Sequence, residues 1–423
     1  MKQNILVGIT VIMLLFCCTL PATASDYTLG IFGNANEDDT IDAEDVEYTQ
    51  RIVLGLNDQT QLADSKYDEQ INILDVTQIE LIMLGKEKEL TFIDAAENTA
   101  TVKMPIERMV ILNTDFAEAI AVLDERGKVV GVTHSTTECT KLFPEISAMN
   151  DVGGWSTPDI EAILACGPDT VCVYAKWPGT EKLDDRMPDD LNIIRLDFYK
   201  AETLREEMIK LGYLLNKRER TDEYITWHDR YVDAVAENVS EIPDDEKVRV
   251  FIDSGGGKTF GRTAYSTGTG MHDLCTCAGG VNIAEGYVEN YADVETEWIL
   301  EQDPDMIIGI SYKGGYETDD NTLMKAHYDE ILALPGFANI AAVQNDRVRI
   351  ISNGFAFAPH YPASLAMMAK WLYPERFDEL DPQAIHEEYI NEFLGIDFNV
   401  SEQGVFEYPQ RNDTYGSRST TAV

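Results

Sequence analysis

Two short segments near the front of the chain carry oxygen-bearing side chains at a fixed spacing. Residues 34–56 recur as residues 64–86, and each copy has carboxylates or amides at most of positions 1, 3, 5, 9 and 12 of a loop. In the first loop these residues are Asn34, Asn36, Asp38, Asp42 and Asp45, with the carbonyl of Thr40 at position 7. A set of oxygen ligands at these positions is what Ca²⁺ requires.

The second loop departs from this ligand pattern. Its oxygen-bearing residues are Asp64, Asp68, Asn72 and Asp75. Position 3 is Lys66, which cannot coordinate a cation. Position 6, where glycine commonly supplies a positive φ, is Asp39 in the first loop and Glu69 in the second, and Asp tolerates that conformation better than Glu. We therefore expect one good calcium site and a weaker second one; the alternative is a solvated acidic surface.

Three other patterns resemble catalytic or metal motifs but lack a required residue. The glycine-rich run 254–259 would need a glycine where Ile252 stands to form a phosphate-binding loop. His386 lacks the second histidine of a zinc protease helix. Cys275 and Cys277 have a poor spacing for chelation. We expect no enzymatic activity, because no set of catalytic residues is evident.

From about residue 98 the sequence alternates between apolar runs and helical patterns, which favours βαβ units and parallel sheets. The predicted strands are residues 108–113, 129–132, 170–174, 193–196, 248–252, 306–310 and 348–351. Residues 201–239 contain no proline and only one glycine, Gly212, which predicts one long helix between two lobes. Such a helix would permit only a small closure of the lobes.

A second internal repeat supports two related lobes. Residues 158–169 match residues 295–305, and each copy is a short helix with a carboxylate near its start, followed by Pro-Asp and a strand. Glu161 and Glu297 occupy equivalent places near the two helix starts, where a carboxylate suits the helix dipole. An ordinary capping role is the alternative interpretation.

These patterns resemble two known families. Residues 28–88, with paired loops and helices, resemble a type I dockerin. Residues 98–380 resemble the iron-complex and vitamin B12 class of periplasmic binding proteins, through residues 106–110, 128–132, 152–154, the two repeated helices, Leu211-Gly212 and residues 372–377. The implied fold is α/β, with two lobes whose sheets are mostly parallel. One long helix joins the lobes, and a small all-α, EF-hand-like module precedes them.

The second resemblance implies a function and two docking residues. Proteins of this class carry a ligand in the cleft between lobes and deliver it to the permease dimer and ATPase of an ABC importer. One glutamate on each lobe contacts the permease, and Glu161 and Glu297 match those two positions. The implied ligand is an iron complex of the siderophore or haem type, or a corrinoid.

We expect the ligand contacts to lie in loops that follow the strands. Aromatic and cationic residues alternate there, as a flat macrocycle or anionic chelate requires. The candidates are Asn113, Thr114, Asp115, His134, Trp155, Tyr174, Lys176, Trp177, Lys258, Arg262, Tyr265, Tyr312, Lys313, Phe355, His360 and Tyr361. His360 is also a candidate axial metal ligand.

Composition and the first residues indicate an exported protein. The chain has 33 basic and 75 acidic residues, a net charge of −42, which excludes nucleic acid as a partner. Residues 1–24 have the charged, apolar and small-residue segments of a signal peptide, with an uncleaved anchor as the alternative. We expect an extracellular or cell-surface location, in a periplasm-like space.

The expected organisation therefore has six parts. They are a signal peptide at 1–24, a dockerin-like module at 25–90, an N-terminal lobe at 98–200, a connecting helix at 201–240, a C-terminal lobe at 245–395 and a disordered polar tail at 400–423. Two other functions stay open: an enzyme on a two-lobed frame, or an interaction protein whose dockerin-like module binds a cohesin-like partner.

Overall fold

The structure is a computed structural model that describes residues 27–410 of the 423-residue chain. The predicted signal peptide, residues 1–24, and residues 411–423 of the predicted tail lie outside the described residues. Among the helices within 27–410, none combines the length and the apolar character needed to cross a bilayer.

Two helices and a β-hairpin form the front of the described chain. They are α1 (Ala43–Val53), α2 (Ile73–Met83), β1 (Glu89–Ile93) and β2 (Thr99–Lys103). Each helix begins with a capping box, in which the side chain of Asp42 or Asn72 accepts backbone N–H groups of the first turn. The two copies of the repeat therefore start their helices at equivalent residues.

The front helices pack directly against the connecting segment of the chain. The N–H of Ile41 donates to the hydroxyl of Tyr213 at 3.0 Å, and Arg218 donates to the carbonyl of Met83 at 2.5 Å. Ile52 is buried, but Val53 is 44% exposed and does not belong to the buried face of α1. The module is thus seated on the body of the protein.

The N-terminal lobe is a parallel sheet flanked by helices. Its elements are β3 (Met109–Ile111), α3 (Thr114–Val122), β4 (Val129–Val132), α4 (His134–Thr137), β5 (Asn150–Asp151), β6 (Gly153–Gly154), β7 (Thr157–Pro158), α5 (Ile160–Ala165), β8 (Thr170–Val173) and β9 (Asn192–Arg195). The strand order is β5-β4-β3-β8-β9, and neighbouring strands run parallel. Strands such as β8 are buried throughout because both faces of the sheet are covered.

The connecting segment is two helices, so the prediction of one long helix over residues 201–239 is wrong. Helix α6 spans Ala201–Leu214 and α7 spans Arg218–Ser240. Asn216 has a φ of 54°, a left-handed conformation that ends a helix and that Asn tolerates. The chain then folds back, because Arg205 of α6 reaches Asp229 of α7 with a nitrogen–oxygen distance of 3.0 Å. The connection is therefore a helical hairpin.

The C-terminal lobe contains the second sheet. Its elements are β10 (Arg249–Gly256), β11 (Arg262–Tyr265), α8 (Gly270–Cys277), β12 (Val281–Asn282), β13 (Tyr291–Val294), α9 (Thr296–Gln302), β14 (Met306–Ser311), α10 (Thr322–Leu332), α11 (Ala341–Gln344), β15 (Val348–Ser352), α12 (Asn353–Ala356), α13 (Tyr361–Leu372), α14 (Pro382–Tyr389), a π-helical turn (Ile390–Leu394) and β16 (Glu407–Tyr408). The strand order is β13-β11-β10-β14-β15-β16, and β12 also pairs with β10. Strands β10, β14 and β15 run parallel to one another. The outer strands β11, β13 and β16 pair antiparallel with their neighbours. The predicted α/β fold class, with two lobes that contain mostly parallel sheets, is confirmed.

The prediction that the polar tail is disordered is wrong over residues 402–410. Strand β16 pairs with β15, and Val405 is fully buried beside Phe406, which is 9% exposed. This apolar pair inserts into the core of the C-terminal lobe and holds the segment there.

Candidate functional site

Loops that follow strands of the two sheets meet between the lobes, which makes this region the candidate ligand cleft. Glu317, which follows β14, accepts the N–H groups of Lys141 and Leu142 from the N-terminal lobe at 3.0 and 3.1 Å. Deeper in the molecule, His360 lies 2.7 Å from the carboxylate of Glu118 in α3. These contacts place the loops that follow the strands on both sides of the cleft.

The wall contributed by the N-terminal lobe is aromatic. The ring centroid of Trp155 lies 6.2 Å from that of Tyr174 and 6.4 Å from that of Trp177, in edge-to-face arrangements. Tyr199, which follows β9, adds a further edge-to-face contact with Tyr174 at 5.6 Å. Trp155 and Trp177 are 46% and 52% exposed, so this cluster presents ring surface to solvent.

A carboxyl group holds this wall from behind. The hydroxyl of Tyr174 donates to Asp115 at 2.6 Å. Burial raises the pKa of Asp115 to about 6, against the effect of the Tyr174 hydrogen bond, and burial also raises the pKa of Tyr174. Asp115 therefore orients a ring and is a positioning residue.

The wall contributed by the C-terminal lobe is a cluster of three tyrosines. The hydroxyls of Tyr265 and Tyr312 are 2.6 Å apart, and the rings of Tyr265 and Tyr291 lie 5.9 Å apart because β11 and β13 pair at these two residues. Tyr312 is 64% exposed and Tyr291 is 63% exposed. This wall offers hydroxyl groups as well as ring faces.

A buried ionic network lies behind the tyrosine wall. Arg262 donates to both carboxylate oxygens of Asp253, at 2.8 and 2.5 Å, and also pairs with Glu330. His327 lies 2.8 Å from Asp253. Burial alone opposes ionisation of Asp253, but the hydrogen bonds from Arg262 and His327 hold its pKa below the ordinary value.

Four predicted contact residues with basic side chains lie at the surface. The Nδ1 of His134 is 2.9 Å from the Asp151 carboxylate, and this hydrogen bond raises the pKa of His134. Lys176, Lys258 and Lys313 are exposed, and their ammonium groups form no ion pair within residues 27–410. They remain available for an anionic ligand.

Other predicted contacts are inside the protein. Asn113, Arg262, Phe355, His360 and Tyr361 are each between 1% and 4% exposed. Asn113 caps α3 through the N–H of Phe116, and Arg262 is held by Asp253. Thr114 is the partly buried first residue of α3. These five residues pack in the interior or form internal hydrogen bonds, and their contact with ligand stays a prediction.

The Nε2 of His360 is buried and forms no hydrogen bond within residues 27–410, so its role as an axial metal ligand stays a prediction. Its ring stacks on Phe355 with 5.4 Å between centroids and an interplanar angle of 3°, and its Nδ1 is engaged by Glu118. The hydroxyl of Tyr389 donates to the same carboxylate oxygen at 2.6 Å. His360 therefore belongs to a buried network that joins the lobes.

Sequence reasoning missed Tyr199 and Tyr291. Tyr199 follows a strand that the sequence predicts, so the rule that led to Tyr174 also applies to it. Tyr291 joins the wall through the antiparallel pairing of β11 with β13, which no local pattern indicates.

The two repeated glutamates occupy equivalent, exposed positions. Glu161 is the second residue of α5 and Glu297 is the second residue of α9. The residues before the two helices, Asp159 and Glu295, are their N-caps. The structure thus repeats one surface feature on each lobe; their role in docking stays a prediction.

The first loop of the front module contains a buried oxygen without a partner. The Nδ2 of Asn34 donates to the carbonyls of Leu29 and Asp38, while its Oδ1 is buried and forms no hydrogen bond. The carboxylate of Asp45 accepts the N–H groups of Asn36 at 3.2 Å and Asp42 at 2.8 Å. Burial raises the pKa of Asp45 to about 6.

In the second loop, the carboxylates mostly accept hydrogen bonds from backbone N–H groups of the same loop. Asp64 accepts the N–H groups of Asp68 and Glu69, and Asp75 accepts those of Lys66 and Asn72. Across residues 27–410 no three His, Cys, Asp or Glu side chains are arranged to hold a metal. Any cation in the first loop must therefore use the amide oxygens of Asn34 and Asn36 and the carbonyl of Thr40.

Comparison with known proteins gives a family match over most of the two lobes. The profile of the family described as periplasmic binding protein matches residues 109–353. A curated relative, the molybdate-binding protein MolA of Haemophilus influenzae, is 25% identical over 334 residues, which cover 71% of this chain and 89% of the relative.

Solved structures share the two-lobed fold. The TroA-like periplasmic binding protein FepB of Veillonella parvula superposes with a TM-score of 0.63 at 23% identity, over 75% of this chain and 98% of that one. A periplasmic haem-binding protein of Pseudomonas aeruginosa superposes with a TM-score of 0.53 at 19% identity, over 64% and 94%. The family match and the curated relative are both binding proteins by description, which agrees with the expectation that the chain is not an enzyme.

Proposed function

The chain belongs to the periplasmic binding protein family and is the solute-binding protein of an ABC transporter; on that premise we propose that its solute is a large metal chelate. The candidates are an iron complex of the siderophore or haem type, or a corrinoid. The protein would capture this ligand outside the cell and deliver it to a permease dimer and its ATPase.

The observation that carries the proposal is the pair of exposed aromatic walls. Trp155 and Trp177 on one lobe and Tyr312 and Tyr291 on the other each expose about half or more of their surface. Aromatic rings stack on flat organic ligands, and a site for a large ligand typically combines such surfaces with a few polar groups. The unpaired ammonium groups of Lys176, Lys258 and Lys313 suit carboxylate or catecholate groups of a chelate.

A bare oxyanion fits these walls poorly. Such a small ion needs a compact set of N–H donors around it, and exposed tryptophan rings offer it no partner. MolA binds molybdate, so that anion is the appropriate competitor in a binding test.

The test is a titration of the purified chain with a ferric catecholate siderophore, haemin, cobalamin and molybdate, followed by tryptophan fluorescence. We expect one chelate to quench with a Kd of about 1 µM or tighter, as for an importer that scavenges its ligand. Molybdate should not bind. Saturable molybdate binding with no response to any chelate would contradict the proposal.

For the partner, we propose that Glu161 and Glu297 contact one basic residue on each half of the permease. Their equivalent exposed places on the two lobes support this assignment. The relatives reported above give no support for a cohesin-like partner.

For the front module, we propose that one Ca²⁺ binds the first loop through the amide oxygens of Asn34 and Asn36, the carbonyl of Thr40 and one or two of the carboxylates of Asp38, Asp42 and Asp45, since no three carboxylates there are arranged to hold a metal. The unpartnered buried oxygen of Asn34 supports this site, because buried polar atoms normally have a partner. A cation would also relieve the repulsion between Asp45 and its neighbours Asp38 and Asp42. The residues of the second loop, Asp64, Asp68, Asn72 and Asp75, would form a weaker site.

Thermal unfolding of the whole chain tests the calcium site. Calcium at 100 times its Kd should stabilise the protein by about 2.7 kcal/mol relative to chelator. Asp45→Asn should remove most of this response, whereas the matched Asp75→Asn change in the second loop should preserve it. Equal melting with calcium and with chelator would contradict the site.

A further inference from the structure

We propose that a stacked aromatic pair on the C-terminal lobe, Tyr287 and Trp298, is a docking element for an arginine-bearing surface of the permease. This inference rests on the proposed function, since it assigns a second contact to the same partner. It concerns the surface at the start of α9.

The geometry of the pair is that of a preformed platform. The two ring centroids lie 4.3 Å apart with an interplanar angle of 7°. Trp298 packs against the hydrophobic core of the lobe, whereas Tyr287 is 54% exposed. The inner ring thus fixes the outer one, so a partner would meet a rigid aromatic face at little cost in conformational entropy.

Trp298 directly follows Glu297, the glutamate already proposed to contact the permease. The platform therefore lies one residue from that proposed contact, on an adjoining face of α9. A partner that reaches Glu297 comes within reach of the rings in the same helical turn.

Charge selects the kind of partner. Exposed carboxylates surround the pair in sequence, and none forms an ion pair within the described residues: Glu285, Glu289, Glu295, Glu297 and Glu301. Arginine suits an aromatic face bordered by carboxylates, because its planar guanidinium stacks on the ring while its N–H groups bind carboxylate oxygens. Lysine lacks that planar surface.

The N-terminal lobe has no equivalent platform. Ala162 of α5 occupies the place that corresponds to Trp298, and the large exposed apolar residue of that helix is Leu164, at 41%. The two lobes therefore present one glutamate each but only one aromatic platform. A permease dimer would bind the C-terminal lobe more strongly, and this difference favours one orientation on the membrane.

The experiment measures binding of the ligand-loaded protein to its permease–ATPase complex in nanodiscs, with ligand affinity as an independent readout. Tyr287→Ala and Trp298→Ala should weaken permease binding by about tenfold, as the loss of an aromatic anchor does. Trp298→Phe should retain most of the binding. The matched control, Leu164→Ala on the other lobe, should change it by less than about twofold. Ligand Kd should be unchanged in every variant.

Two results would overturn the inference. One is permease binding by Tyr287→Ala and Trp298→Ala equal to that of the parent; the other is equal weakening by Leu164→Ala. Failure of the proposed function gives a different pattern, in which the parent itself binds neither chelate nor permease.

Discussion

The two lobes share a frame but differ in what they place on it. Both have parallel strands whose carboxyl ends face the cleft, and both carry a glutamate as the second residue of an equivalent helix. The N-terminal wall is built on two tryptophans and the C-terminal wall on tyrosines that share a hydroxyl contact. The repeat therefore preserves the scaffold, while the loops carry the ligand chemistry.

The carboxyl groups behind the two walls show the same contrast. Burial raises the pKa of Asp115, whose hydrogen-bond partner is the hydroxyl of Tyr174. Asp253 is ionised because Arg262 and His327 hold it. In one lobe burial thus opposes ionisation of the carboxyl group, and in the other the hydrogen bonds from Arg262 and His327 favour it.

The largest expected effect concerns the feature that the lobes share. Charge reversal of both Glu161 and Glu297 to Lys replaces attraction with repulsion at both permease contacts, so uptake should be abolished. Either change alone should have a modest effect, because exposed ion pairs contribute little energy. The measurement is uptake into vesicles beside ligand Kd, which should stay within about twofold of the parent. Uptake that persists in the double variant, or affinity that falls with it, would refute the docking role.

The next effect concerns the carboxyl group of the C-terminal lobe. Asp253→Asn leaves the buried guanidinium of Arg262 without its bidentate partner and should cost about 3–5 kcal/mol in the free energy of unfolding at pH 7. Because the pKa of Asp253 is lowered by folding, its stabilisation is present above the unfolded pKa and is lost as pH falls through the folded pKa. Denaturant unfolding at pH 7 and at pH 3 checks both points; an equal cost at the two pH values would contradict this account.

The third-largest expected effect concerns the aromatic walls of the cleft. Trp155→Leu with Trp177→Leu should weaken chelate binding by about 100-fold, while the fold tolerates the change because both rings are half exposed. Trp371→Phe, outside the cleft, is the matched control. Isothermal titration with the chelate identified above provides the measurement. If both proteins bind like the parent, the tryptophan wall does not contact ligand.

The smallest expected effect is a gain in stability, whereas the three preceding changes cause losses. Asp115→Asn should stabilise the protein by about 2 kcal/mol at pH 7.5, because ionising this carboxyl group costs free energy in the folded state. The folded pKa of about 6 lies above the unfolded value, so the stabilisation from the protonated group is complete below the unfolded pKa and is lost as pH rises through 6. The variant and parent should therefore be equally stable at pH 4. Destabilisation at pH 7.5 would show that the charged carboxylate supports Tyr174.

The sequence predicted the strands well because parallel strands buried on both faces are short apolar runs. Predicted strand 129–132 coincides with Val129–Val132, and 306–310 lies within Met306–Ser311. The helical hairpin was not predicted, since its break lies at Asn216, one residue in a left-handed conformation within an otherwise helical pattern.

The site was predictable only in part, because burial depends on partners that are remote in sequence. Trp155 and Tyr312 follow strands in the sequence, and both are exposed, as a ligand contact requires. His360 had the same local signal, yet its partner Glu118 is 242 residues away in the other lobe. No local pattern distinguishes a histidine that points to ligand from one that joins two lobes.

The most direct test of the central claim is a crystal structure of the protein with its bound chelate. We predict that the ligand lies between the lobes, with a flat face about 4 Å from the rings of Trp155 or Trp177 and its opposite side against Tyr312 or Tyr265. At least one of Lys176, Lys258 and Lys313 should contact an anionic group of the ligand. A ligand bound outside the cleft, or held in it without contact to either aromatic wall, would contradict the account.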